Sequence, residues 1–172
     1  MDITEARSSL PAATAVTELY AGHALGLVRL AVLLVGDRAS AEDIVQDAFL
    51  GLYRRWDRLP DTSAPLAYVR ASVVNGCRTA LRRRSRARLV GNLTEPPAES
   101  AEAVALLSEE QRAVAGALRR LPERQREALV LRYYLDLSQA EIATVMGISR
   151  GTVKSATSRA LAAVGRTLRE GS

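Results

Sequence analysis

Gln139-Ala140-Glu141-Ile142-Ala143-Thr144-Val145-Met146-Gly147-Ile148-Ser149-Arg150-Gly151-Thr152-Val153-Lys154 decides how the rest of the chain is read. Small Ala143 stands where two helices must cross closely. Gly147 stands at the turn between them, where a positive φ is needed that glycine adopts without strain. Ile142, Met146, Ile148 and Val153 are spaced to fill the wedge between the helices. Ser149 can cap the second helix. Arg150, Thr152 and Lys154 then fall in its opening turns, the part of a recognition helix that enters a major groove. The pattern predicts a helix-turn-helix that reads DNA.

Working outward, Ser149–Leu168 sorts into two faces at 3.6 residues per turn. Val153, Thr157, Ala160, Val164 and Leu168 fall inward, and Ser155, Ser158, Arg159, Ala162 and Arg166 outward. Arg150, Lys154 and Arg159 are assigned to bases and phosphates, with Thr152, Ser155 and Ser158 as shorter contacts. The last helix is expected to end near Arg169. Before the motif, Ser108 and Gln111 make a capping box for a helix running to Leu121, and Pro122–Tyr134 reads as the next helix, with Ala128, Leu129, Leu131 and Tyr134 apolar.

Residues 89–107 have no basic side chain and three acidic ones, and they include Gly91-Asn92 and Glu95-Pro96-Pro97. They read as a linker and as the domain boundary. Residues 1–88 carry 13 basic and 9 acidic side chains, and residues 108–172 carry 11 and 7. Two basic blocks therefore flank an acidic connector. The net charge of +5 comes almost wholly from arginine, Lys154 being the lone lysine. The planar guanidinium fork suits phosphate and guanine, so a polyanionic partner is expected.

The first block is also helical. Residues 1–14 read as a loose tail. From Thr17, Leu19, Leu27, Leu30, Leu33 and Leu34 recur at helical spacing until Gly36-Asp37. Ser40 is expected to open a second helix, with Asp43 as its capping-box-like partner. Its apolar stripe is Ile44, Val45, Ala48, Phe49, Leu52 and Trp56, and Tyr53 is assigned to the core with Trp56. After the loop around Pro60, Ser63 is expected to cap a third helix from Pro65 to about Arg84. That helix has Leu66, Val69, Val73, Val74 and Leu81 inside and a terminal Arg82–Arg88 run. No alternating strand pattern occurs. The expected fold is all-α: a tail (1–14), a helical bundle (15–88), a flexible linker (89–107) and a helix-turn-helix domain (108–172).

One cysteine, Cys77, and one histidine, His23, exclude an internal disulfide and lack the ligands for a zinc cluster. The acidic residues are spread over helix faces and do not form the carboxylate or histidine cluster an enzyme such as a nuclease needs. No catalytic site, metal or cofactor is expected. No segment reads as a membrane span, and the N-terminus lacks a basic-then-apolar signal, so the cytoplasm is the expected compartment.

The two blocks together resemble the extracytoplasmic-function sigma factors of bacterial RNA polymerase, over about residues 17–169. Ser40-Ala41-Glu42-Asp43-Ile44-Val45-Gln46-Asp47-Ala48-Phe49-Leu50-Gly51-Leu52-Tyr53 is similar to the family's region 2.2, and residues 67–84, from Ala67-Tyr68-Val69 to Arg82-Arg83-Arg84, to regions 2.3 and 2.4. Leu121-Pro122-Glu123-Arg124-Gln125-Arg126-Glu127-Ala128-Leu129, the helix-turn-helix and Gly151-Thr152-Val153-Lys154-Ser155 resemble domain 4. The resemblance implies that Glu42, Asp43, Gln46 and Asp47 dock on core RNA polymerase. It implies that Thr62 and Ser63 in the loop 60–64, with Asn75, Arg78, Arg82 and Arg83, bind and open the promoter −10 element. The recognition helix would read the −35 element, and an anti-sigma protein would be a further partner. Many relatives carry a basic residue where this chain has Ala156. The competing reading is a stand-alone helix-turn-helix regulator, which would not associate stably with core polymerase.

Overall fold

A computed structural model of the 172-residue chain describes residues 11–59, 65–91 and 108–171, and the described residues are helical with no strand. The chain divides into two compact units, residues 1–98 and 99–172.

In the first unit α1 (Ala12–Val35), α2 (Arg38–Arg55) and α3 (Pro65–Leu89) pack pairwise on one another, and a 3-10 turn (Trp56–Arg58) follows α2. The core forms where their apolar stripes meet: Leu27, Leu30 and Leu34 of α1, Val45, Phe49 and Leu52 of α2, Val69, Val73 and Val74 of α3, closed by Trp56. Tyr20 meets Phe49 edge to face with ring centroids 5.0 Å apart. Gly76 lies where α3 crosses α2. A Cβ there would stand 2.7 Å from Ile44 Cγ2, so only glycine allows the helices this close.

Several expectations are corrected. α1 begins at Ala12, inside the stretch read as a loose tail. With 24 residues and a mean hydropathy of 1.5, it is also long and apolar enough to cross a membrane, which the sequence reading denied to every segment. α1 packs on both α2 and α3 and buries nine residues from Ala15 to Val35, and apolar Leu25 on its outer side adds to its hydropathy. Asp37, not Ser40, caps α2, accepting from the Ser40 N–H at 2.8 Å. Tyr53 and Tyr134, assigned to apolar cores, are exposed. α3 runs on to Leu89 rather than ending near Arg84. The expected Ser63 cap lies outside the described residues.

In the second unit α4 (Glu109–Arg119), α5 (Glu123–Tyr133) and α6 (Gln139–Met146) each pack against α7 (Arg150–Glu170), and α5 also packs on α6. Ser108 and Gln111 form the expected capping box. A second box, Ser138 with Glu141, opens α6. There the Ser138 N–H donates to Glu141 Oε2 at 2.7 Å, and this bond, with help from the Ser138 hydroxyl, holds the carboxyl below its ordinary range. α6 ends at Gly147, whose φ of 64° is left-handed, and the Ile148 N–H closes the turn on Ala143 O at 3.1 Å. No heavy atom lies within 4 Å of a Cβ built on Gly147, so a substitution there meets only the backbone cost. Gly147→Ala is expected to destabilise this unit by about 1 kcal/mol and Gly147→Asn by less, measured by thermal melts. Equal losses for the two would show that side-chain clash, not φ, sets the requirement.

Candidate nucleic-acid interface

The second helix of the motif is capped as its sequence dictates: the Thr152 N–H donates to Ser149 Oγ at 3.1 Å. Ile142 and Val153 are fully buried in the wedge, and Met146 and Ile148 half-buried. Val153, Ala160 and Val164 anchor α7 on the unit, with Thr157 and Leu168 half-buried beside them. That anchoring turns the opposite face outward. Arg150, Thr152, Lys154, Ser158 and Arg159 are all exposed on it. Ser155 differs. It is half-buried, and its hydroxyl bonds back to Gly151 O at 3.0 Å and Thr152 O at 3.2 Å, so its proton is turned to the helix itself. Thr152 Oγ1 likewise lies 2.8 Å from Ser149 Oγ. The free donors of this face are therefore chiefly Arg150, Lys154 and Arg159.

In the first unit two surfaces lie on adjacent helices. α2 buries Ala41, Val45, Ala48 and Leu52, which exposes Asp43, Gln46 and Asp47 on its far side. Glu42, on the edge of that face, pairs with Arg38 at 2.6 Å. The same exposed side of α2 continues into Leu50 and Tyr53, two large apolar side chains the sequence reading did not assign to it. α3 buries Val69, Val73, Val74 and Cys77 and exposes Asn75, Arg82 and Arg83, with Arg78 half-buried. A shallow groove of about 510 Å³ separates the helices, with Asp43 and Asp47 on one wall and Tyr68 and Arg83 on the other. Thr62 and Ser63 lie outside the described residues.

Arg84 stands apart from the exposed arginines around it. Its guanidinium reaches 2.5 Å to Val35 O at the end of α1 and 3.0 Å to Ser40 Oγ, and it pairs with Asp37. Burial pushes the Asp37 carboxyl up. The hydrogen bonds from Ser40 and the charge and hydrogen bond of Arg84 outweigh that, and the carboxyl is held below its ordinary range. The pair therefore adds stability above the ordinary aspartate pKa of about 3.9, and this is lost as pH falls through the lower folded value. Chemical denaturation between pH 7 and pH 2.5 is expected to show a stability gap between the wild type and Asp37→Asn that is full near neutrality and closes below about pH 4. A gap constant over that range would mean the charge of Asp37 is immaterial.

Among the described residues no three His, Cys, Asp or Glu side chains gather where they could hold a metal ion. A helix-turn-helix with a free cationic recognition face, carried by an all-helical chain with a second arginine-rich helix, defines a DNA-binding protein. Residues 19–87 match the sigma-70 region 2 family and residues 111–164 the sigma-70 region 4 family. The chain is 34% identical over 155 residues to the ECF RNA polymerase sigma factor SigL of Mycobacterium tuberculosis, covering 88% of each chain. It is 36% identical over 141 residues to the RNA polymerase sigma-E factor of Streptomyces avermitilis, covering 79% of this chain and 75% of that one. Among solved structures it resembles the sigma factor RpoE of Bartonella quintana, co-crystallised with the anti-sigma factor NepR. The TM-score is 0.68 at 26% identity, covering 89% of this chain and 95% of that chain. The chain belongs to the sigma-70 family of RNA polymerase sigma factors, in its extracytoplasmic-function group.

Proposed function

We propose that this chain is an alternative sigma factor that binds core RNA polymerase and directs promoter-specific transcription initiation, itself carrying no catalytic site. The observation that supports this most is the pairing, in one chain and in this order, of a region 2 unit and a region 4 unit, each with an exposed cationic helix. In the first unit the acidic and amide face of Asp43, Gln46 and Asp47, with Glu42 at its edge, docks on the polymerase, where it complements a basic partner surface. Asn75, Arg78, Arg82 and Arg83 bind the −10 element, Asn75 offering a base edge both donor and acceptor and the arginines tracking the opened strand's phosphates. Thr62 and Ser63 belong to the same assignment. In the second unit Arg150, Thr152, Lys154, Ser158 and Arg159 read the −35 element, and Ser155 contributes as an acceptor because its proton is engaged. The assigned domains are the tail (1–14), the −10 and docking domain (15–88), the linker (89–107) and the −35 domain (108–172).

The proposed work on RNA polymerase supports a cytoplasmic location. An anti-sigma protein is a further partner, in line with the structural relative solved bound to one. The stand-alone regulator reading is not favoured, because it leaves the region 2 unit and its acidic face without a role. Run-off transcription with core polymerase on a promoter library tests the whole assignment: promoter-selective transcripts are expected. Tight duplex binding by the isolated protein, with no co-purification with core enzyme, would return the stand-alone reading. Within that assay Arg159→Ala is expected to weaken use of the −35 element by about 1–3 kcal/mol, roughly 5- to 150-fold, with core affinity unchanged. A drop in core affinity instead would mean the face is assigned to the wrong partner.

A further inference from the structure

Four of the five arginines between Arg82 and Arg88 are exposed, and the fifth, Arg84, is half-buried. Helical phase explains the difference. At 3.6 residues per turn Arg84 falls on the side of α3 that carries Val73 and Cys77, both buried. Asn75, Thr79, Arg82 and Arg86 fall on the opposite side, and all four are exposed. Arg84 is thus the last position of the buried stripe, and it ends that stripe with a polar clasp. One guanidinium joins three pieces of chain: the final turn of α1 through Val35 O, the cap of α2 through Asp37, and the first turn of α2 through Ser40 Oγ. The Asp37 carboxylate is itself the N-cap of α2, so the clasp ties the start of the helix bearing Asp43, Gln46 and Asp47 to the end of the helix bearing Arg82.

We propose that Arg84 is a positioning residue for promoter opening, its clasp with Asp37, Ser40 and Val35 fixing the rotation of the end of α3 so that Arg82 and Arg86 face the separated DNA strand. The inference rests on the sigma-factor reading and adds to it a residue that touches no nucleic acid. From Leu81 to Leu89 α3 has no buried residue, and Leu81, Arg84 and Ala87 are the half-buried ones, so Arg84 is the polar anchor of that last stretch. Without it the last two turns keep their charge but lose their bearing. Attraction to phosphate persists while capture of the opened strand falls.

The test uses holoenzyme made from core polymerase and full-length protein, with 2-aminopurine in the −10 element reporting strand opening and fluorescence anisotropy reporting core affinity. Circular dichroism at the assay temperature scores the folded fraction. Arg84→Ala is expected to lower opening about tenfold, the size of one lost base-level contact, with core affinity within about twofold of wild type. Arg84→Lys is expected to recover part of that loss. Arg84→Ala is expected to add little in a background with both Arg82→Ala and Arg86→Ala, since it acts through those two side chains. Asp37→Asn, which keeps the cap oxygen and removes the charge, carries the same comparison if Arg84→Ala does not fold. The proposal is overturned if opening per folded holoenzyme stays near wild type or if core affinity falls in step with opening. It is also overturned if the Arg84 effect multiplies independently with the combined Arg82 and Arg86 effect, or if neither clasp variant folds where the wild type works. A wild-type holoenzyme that opens no promoter would instead overturn the sigma-factor reading.

Discussion

Asp43→Arg combined with Gln46→Arg is expected to abolish transcription by removing core polymerase from the protein, leaving its fold intact. Both side chains are exposed on α2, and the core positions nearest them, Val45 and Ala48, point the other way, so neither substitution disturbs packing. The replacement does more than delete contacts. It places two cations opposite a surface that the assigned acidic face requires to be basic, and like-charge juxtaposition at an interface costs several kcal/mol. A loss of about 3 kcal/mol, more than a hundredfold in affinity, is the expected scale. Anisotropy with labelled core enzyme, beside a far-ultraviolet melt of the free variant, separates the two effects. A variant with normal melting and normal core affinity would move the docking face elsewhere on the first unit.

Ile142→Ala is expected to unfold the second unit and silence −35 recognition while leaving the first unit folded. Ile142 has no exposed surface and fills the wedge beside Val153, so its truncation removes contacts and leaves a hole. Such Ile→Ala changes cost about 2–5 kcal/mol. Domains this small have a net stability of only a few kcal/mol, because they bury a small share of their surface. The two units are separately compact, so the damage stays local. A two-step thermal melt should lose its region 4 transition and keep the other. Loss of both transitions together would show that the units fold as one.

How far the fold could be read in advance depended on whether a position answered to local chemistry or to distant partners. The helix-turn-helix was legible because each of its devices is local: the Gly147 turn, the Ser149 cap and the wedge spacing of Ile142 and Val153 all sit within a dozen residues. The Ser138–Glu141 capping box carries an equally local signature. Asp37 was different. Ser40 and Asp43 offered a plausible box, but the cap that formed draws on Arg84, 47 residues away, and no local pattern announces it. Helical phase did announce the inward turn of Arg84, continuing from Val73 and Cys77. The surrounding arginines mask that signal, since a basic run expected to meet DNA gives no reason to set one member apart. Tyr53 and Tyr134 misled for the opposite reason: aromatic character suggested burial, but each sits past the edge of its helix's buried stripe. Of the candidate site, sequence spacing located the outward face of α7. It could not show that the Ser155 hydroxyl turns back on the helix backbone, which depends on a rotamer.

The seat of Ile44 against Gly76 has a mechanical meaning. Two rods that touch with no room for even a methyl group between them have no play. α2 and α3 cannot move closer at this point without displacing Ile44. On the proposed assignment this seat joins the docking helix to the −10 helix at one close point, so that a shift of either is felt by the other.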